Sequence, residues 1–117
     1  MKFRFAKKSG FTLVEIMIVV GIIGLLASIA VPNFVKARQA SRRSACIANL
    51  KKIEDAKVTW AMETNKSTTD APGELDLFGS DNYLRRRPTC PSSGSYDLGT
   101  VAGTPSCTMA TVEGHTL

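Results

Sequence analysis

The chain carries a long stretch without charge near its start. No residue between positions 16 and 35 is charged, and most of these positions are aliphatic. About 20 consecutive apolar residues are long enough to cross a bilayer as a helix. The pattern therefore predicts an apolar helix over residues 11–35. Glu15 is the one acid within it, and an unpaired carboxylate in hydrocarbon costs several kcal/mol.

The following segment, residues 36–66, changes polarity with the period of a helix. Apolar side chains return at three- and four-residue steps between charged ones, which predicts an amphipathic helix. We expect Glu54 to support it through weak pairs with Lys51 and Lys57, each three residues away. With residues 11–35 it would form a helix of roughly 80 Å, too long for so small a domain to bury. The recurring apolar positions are Phe34, Ala37, Ala45, Cys46, Ile47, Leu50, Ile53, Trp60 and Ala61.

The last segment, residues 67–117, loses the helical period and is rich in Gly, Ser, Thr and Pro. Residues 96–98 and 107–109 are predicted to be short strands, joined through the turn-rich residues 99–105. The whole pattern indicates an α+β fold. It would combine a long N-terminal helix, half transmembrane and half amphipathic, with a small C-terminal region of loops and a β-hairpin.

Positive charge is concentrated before the apolar segment. The net charge is +5, and four of the 15 basic residues, Lys2, Arg4, Lys7 and Lys8, precede Gly10 with no acid among them. The remaining 11 basic side chains nearly balance the ten acids, which argues against a nucleic-acid partner. Basic residues on one flank of a membrane helix stay on the cytoplasmic side, so the chain after residue 35 is expected on the opposite side.

The basic leader, Gly10, Phe11 and Glu15 before an apolar run resemble the type IV prepilin signal, which type IV pilins share with the pseudopilins of type II secretion. The resemblance implies a pilin-like fold in four segments. These are a leader (1–10), a transmembrane or filament-core helix (11–35), an amphipathic helix (36–66) and a small periplasmic loop and β region (67–117).

The resemblance also implies roles for individual residues. A membrane-embedded prepilin peptidase would cut between Gly10 and Phe11, and the new N-terminus at Phe11 would be methylated. Glu15 would pair with the N-terminal amine of a neighbouring subunit, so that two charges that are costly alone become tolerable together. Pro32 matches the helix-interrupting proline of the family and would kink the helix or melt it locally.

Two other readings of the N-terminus stay open. An ordinary signal peptide would be cut near residues 27–30, although the apolar run continues beyond that point. A plain single-pass anchor also fits the length of the apolar segment.

Three cysteines lie in the segment expected beyond the membrane, where an oxidising compartment favours disulfides. Cys90 and Cys107 are predicted to pair, and closing a loop of about 15 residues would contribute about 3 kcal/mol. Cys46, in the helix, is interpreted as a buried free thiol. No Cys-x-x-Cys is present, and the one histidine, His115, is expected at the surface or a sheet edge, so the sequence predicts no zinc site.

An acidic stretch follows the amphipathic helix. Some major pseudopilins bind calcium in an acidic C-terminal loop, and carboxylates are suitable ligands. The acids here fit no spaced calcium motif, so a solvated loop is favoured and calcium is kept as the alternative. Residues 85–87 are three arginines, read as a solvated face or as a contact for the acidic loop of a neighbouring subunit. The candidate calcium ligands are Asp70, Glu74, Asp76 and Asp81.

No catalytic motif or cofactor motif is visible, so the sequence predicts a structural subunit and not an enzyme. We expect a filament subunit, first inserted in the inner membrane with its C-terminal region in the periplasm. Its partners would be copies of itself, other pilin-like subunits, the prepilin peptidase and an inner-membrane assembly platform. A type II secretion pseudopilin is favoured, a type IV pilin is the alternative, and a single-pass membrane-anchored binding module is the alternative from another class.

Overall fold

The structure, a computed structural model, describes residues 8–117 and consists of one long helix followed by short elements. The two strands pair antiparallel, with Tyr96 opposite Cys107 and Asp97 opposite Ser106. This arrangement confirms the predicted α+β, pilin-like fold. Lys2, Arg4 and Lys7 of the leader lie outside the described residues. The elements are α1 (Leu13–Thr64), α2 (Glu74–Leu77), β1 (Tyr96–Asp97), β2 (Ser106–Cys107) and α3 (Ala110–Glu113).

By its internal contacts the chain divides between Ala37 and Arg38 into unit 1 and unit 2. Unit 1 contains the first part of α1, and its large apolar side chains are exposed, from Phe11 to Val35. The helix is present on both sides of Pro32, which lies inside α1. A kink at Pro32 stays a prediction.

The core of unit 2 lies against one face of α1. The helix contributes a buried stripe at three- and four-residue steps, which confirms the amphipathic pattern of this segment. Short elements and loops cover that stripe with Leu77, Cys90, Tyr96, Leu98 and Cys107. The buried residues of α1 are Cys46, Leu50, Ile53, Ala56, Lys57, Trp60 and Ala61.

Lys57 is the one charged residue in this stripe, and it is fully buried. Its ammonium donates to three backbone carbonyls, those of Leu98 at 2.6 Å, Thr100 at 2.8 Å and Gly103 at 2.6 Å. The charge of Glu54 favours the protonated form of this lysine, as predicted, but the three N–H donors are used by the loop and not by Glu54. Burial lowers the pKa of Lys57, but three carbonyl acceptors require the three donors of the protonated form.

The second strand lies one residue earlier than predicted. β2 covers Ser106–Cys107, whereas Thr108 and Met109 form a turn that leads into α3. Gly94 packs closely against this turn, and a Cβ built there would lie 2.8 Å from the sulfur of Cys107. The close approach leaves no room for a side chain at Gly94.

Replacing Lys57 with Met is expected to lower the free energy of unfolding by about 2 kcal/mol or more. The methionine fills similar space but removes the donor of the buried Leu98 carbonyl and two further hydrogen bonds to the loop. Denaturant unfolding of the full chain in detergent, followed by the fluorescence of Trp60, measures the change. The matched control is Lys51→Met at an exposed position of α1. Equal unfolding midpoints for the two variants would show that the carbonyl contacts contribute nothing.

Candidate functional site

The predicted cleavage site lies in non-helical chain just before α1. Gly10 and Phe11 are both exposed, and 86% of Phe11 is accessible to solvent. A Cβ built on Gly10 would have no neighbour within 4 Å. The bond between these two residues is therefore reachable from outside, and the chain itself does not require a glycine at this position.

Thr12 and Glu15 form a capping box at the start of α1. Glu15 Oε2 accepts hydrogen bonds from the backbone N–H of Thr12 at 2.8 Å and from its hydroxyl at 3.1 Å, while the backbone N–H of Glu15 donates to Thr12 Oγ1 at 3.2 Å. These bonds satisfy backbone donors that the first helical turn leaves free. The sequence analysis missed this role, although the Thr-x-x-Glu spacing is its usual signal.

The apolar surface of unit 1 is the largest unpartnered feature of the described chain. By its length and composition, α1 includes an apolar stretch that could cross a membrane. Side chains on every side of this part of the helix are exposed, and examples are Leu13, Ile18, Leu25 and Ile29. Such a surface is unstable in water and requires lipid or other apolar helices around it.

The four acids proposed as calcium ligands are not brought together. Asp70 and Asp76 each accept a backbone N–H of their own loop, from Ser67 and Gly73, both at 2.8 Å. Glu74 forms an ion pair with Arg87, and the fourth acid, Asp81, accepts from the neighbouring hydroxyl of Ser80 at 3.4 Å. The partner of Arg87 is therefore an acid of the same chain.

Three cysteines and the one histidine converge in unit 2. Cys46 lies on α1, Cys90 in the loop before β1, Cys107 in β2 and His115 near the C-terminus, and all four are buried. One donor atom from each lies within 4.8 Å of the others, and within residues 8–117 this is the one such group that could surround a cation. The prediction of a surface position for His115 is wrong.

The imidazole of His115 faces the sulfurs with one nitrogen and an acid with the other. Its Nδ1 lies 3.5 Å from Cys90 Sγ, and its Nε2 lies 3.0 Å from Glu113 Oε2. The second contact has ion-pair distance but not the direction of a hydrogen bond, so Nε2 has no hydrogen-bond partner in the described part of the chain. Glu113 Oε2 also accepts the hydroxyl of Ser92 at 2.6 Å.

The cysteines themselves are not bonded to one another in the structure, so a Cys90–Cys107 disulfide stays a prediction. The burial predicted for Cys46 is confirmed, and it raises the pKa of that thiol to about 12. Burial also raises the pKa of Cys90, but the backbone N–H groups of Ser92 and Gly94 stabilise its thiolate and lower the pKa to about 7. The two thiols therefore differ strongly in acidity.

Known proteins resemble both the N-terminal segment and most of the chain. Residues 5–31 match the family model described as the prokaryotic N-terminal methylation motif. The type II secretion system core protein G of Klebsiella michiganensis is 30% identical over 107 residues, covering 81% of this chain and 75% of that protein. The protein of the same name from Escherichia coli is 29% identical over 104 residues, covering 79% and 72%.

A second group of relatives is similar over a shorter region. The type IV major pilin protein PilA of Myxococcus xanthus is 45% identical over 60 residues. That match covers 51% of this chain but 27% of the pilin. No solved structure matches the chain.

We expect Thr12→Val to loosen the first turn of α1 and leave the rest of the chain folded. The valine keeps the shape of threonine but removes the hydroxyl that caps the helix. Hydrogen exchange at the amides of residues 13–16 in detergent should become about fivefold faster, which corresponds to the loss of one cap. Thr59→Val, near the other end of the same helix, is the matched control and should leave these amides unchanged. Identical exchange in both variants would show that the capping box does not stabilise the helix start.

Proposed function

Because this chain belongs to the family of the type II secretion core protein G and the type IV pilins, it is a structural subunit of a filament, and we propose that it is a type II secretion pseudopilin. The observation that carries the proposal is the apolar, charge-free part of α1, whose side chains are all exposed in unit 1. A filament whose centre is built from such helices removes this surface from water, and self-association supplies the missing partners.

The extent of similarity favours the pseudopilin over the pilin. The match to core protein G covers three quarters of that protein, and it extends well beyond the apolar helix. The match to the pilin of Myxococcus is higher in identity but ends after 60 residues. A type IV pilin is the second candidate, and the higher identity over those 60 residues is the observation in its favour.

We propose that processing prepares the chain for assembly. The basic leader and the apolar helix fit an inner-membrane anchor, and a prepilin peptidase would cut between Gly10 and Phe11. Phe11 would then be methylated at its new amine, as the match to the methylation motif supports. An inner-membrane assembly platform would pass the processed subunit into a periplasmic filament. No catalysis is assigned to the chain.

Glu15 would act in assembly through its charge. Its carboxylate would meet the positive amine of Phe11 in a neighbouring subunit, in surroundings from which water is excluded. The attraction between opposite charges grows as the dielectric falls, so the pair sets the register of helices that are otherwise uniformly apolar. In the isolated chain the same carboxylate caps its own helix at Thr12. Assembly would therefore exchange one partner of Glu15 for another.

A prediction for processing concerns Gly10. Gly10→Val should block removal of the leader, because the peptidase must accommodate the residue at the cut. The chain has open space at this position, so the variant should still fold and insert. Mass spectrometry of the purified protein should find a methylated Phe11 N-terminus in the unchanged chain and an uncut leader in the variant.

The control for this experiment is Ser9→Val, which adds a similar side chain one residue before the cut. It should be processed normally. An unchanged chain that keeps Met1, or that is cut near Ala30, would refute the prepilin interpretation. The same uncut chain found in membranes and absent from sheared filaments would support the membrane-anchored binding module.

A prediction for assembly separates the charge of Glu15 from its capping. Glu15→Val removes both, Glu15→Gln keeps a capping acceptor without the charge, and Thr12→Val weakens the cap but keeps the charge. Sheared filament yield should fall about tenfold or more in both Glu15 variants, the amount expected for the loss of about 1.4 kcal/mol or more from a desolvated ion pair.

Thr12→Val should assemble nearly as well as the unchanged chain, and all three variants should insert in the membrane. A normal yield from Glu15→Gln would show that the side chain acts as a cap and would reject the pairing role. Immunoblots of the membrane fraction give the insertion control for each variant.

A further inference from the structure

Cys46, Cys90, Cys107 and His115 come from four separate segments and meet in the interior of unit 2. Cys46 and His115 are fully buried, and Cys90 and Cys107 are 6% and 4% exposed. Three thiols and an imidazole are the donors of a common class of structural zinc site, in which no position is left open for a substrate.

The spacing of the donor atoms fits that class. Ligand distances of 2.3 Å for sulfur and 2.0–2.1 Å for nitrogen place tetrahedral donors about 3.6–3.8 Å apart. Cys90 Sγ and His115 Nδ1 are separated by 3.5 Å, and all four donor atoms lie within 4.8 Å of one another. A contraction of about 1 Å or less at the longer separations would therefore complete the tetrahedron.

We propose that Cys46, Cys90, Cys107 and His115 bind one Zn²⁺ ion that ties the C-terminal region to α1. Zinc is the metal that a closed set of three sulfurs and one nitrogen prefers, whereas calcium and magnesium require oxygen ligands. The metal would replace the protons of the three thiols and bind the unprotonated Nδ1 of the imidazole.

The surroundings of His115 support this arrangement independently of the sulfurs. Glu113 lies 3.0 Å from Nε2, the nitrogen that faces away from the cluster. A carboxylate behind a metal-binding histidine holds the proton on the outer nitrogen and leaves the inner one free to bind the metal. A small rotation of the Glu113 carboxylate toward Nε2 would turn the present contact into that hydrogen bond. Ser92 donates to the same carboxylate at 2.6 Å and so holds it in place.

A Cys90–Cys107 disulfide would give a role to fewer of the four buried side chains than a zinc ion would. A Cys90–Cys107 bond uses two sulfurs and leaves Cys46 and the imidazole of His115 buried against each other without a function. A zinc ion uses all four donors. It also links α1, two loops and β2 in a unit whose strands have only two residues each. Small domains with little core commonly depend on such a link.

The experiment uses the full chain, purified in detergent without chelator, with Zn²⁺ and Co²⁺ as probes. We expect one zinc per chain by elemental mass spectrometry. After removal of zinc, Co²⁺ should give the absorption bands of tetrahedral cobalt with thiolate ligands, and zinc should displace it. These two measurements need no substitution, so a variant that fails to fold cannot obscure them.

Variants then assign the ligands. Cys46→Ser and His115→Asn should each lower zinc affinity at least 100-fold, and Glu113→Gln, which changes the residue behind the histidine, should lower it about 10- to 100-fold. Asp76→Asn is the control in the acidic segment and should bind zinc normally. A chain without zinc that contains a Cys90–Cys107 disulfide in non-reducing peptide maps would overturn the proposal. So would a chain with three free thiols that does not bind cobalt.

Discussion

The fold of unit 2 depends on the burial of a single helical face. The stripe of α1 from Cys46 to Ala61 is its one long regular surface, and α2, β1 and β2 each contribute a buried side chain to the core against it. The loops that cover this stripe have almost no sheet to organise them. Lys57 compensates for this, because its ammonium binds three carbonyls of residues 98–103 and so fixes the loop to the helix, and the carbonyl of Leu98 is buried in this contact. A buried charge thus holds the loops of unit 2 in place, as the hydrogen bonds of a longer sheet do in larger domains.

The first part of α1 follows a different rule, because nothing in unit 1 covers it. Its apolar side chains face outward on all sides, and a helix that is apolar all round is stable only within lipid or among other helices. Glu15 is compatible with that environment because its carboxylate is already hydrogen-bonded to Thr12. In the proposed filament the free energy contributed by Glu15 would therefore be the difference between two bonded states, not the full attraction between two charges.

The features that were predicted correctly are those that depend on residues close together in the sequence. The apolar segment, the amphipathic period and the short strand at Tyr96 follow from local patterns, and the structure contains them. The capping box at Thr12 was also readable from its spacing. Lys57 and His115 were misjudged for a common reason: a charged side chain in a helix and a histidine near a terminus are usually exposed. Their partners lie more than 20 residues away in the chain, where a local pattern carries no information.

The position of His115 has a consequence for the order of folding. This residue is buried, and its donor atom lies within 4.8 Å of those of Cys90 and Cys46, which belong to much earlier segments of the chain. During synthesis the N-terminal segments emerge first, so α1 can form long before the C-terminal residues exist. The interior of unit 2, in contrast, cannot close until the chain has been synthesised as far as residue 115. The nascent chain therefore has a finished apolar helix well before it has a finished core.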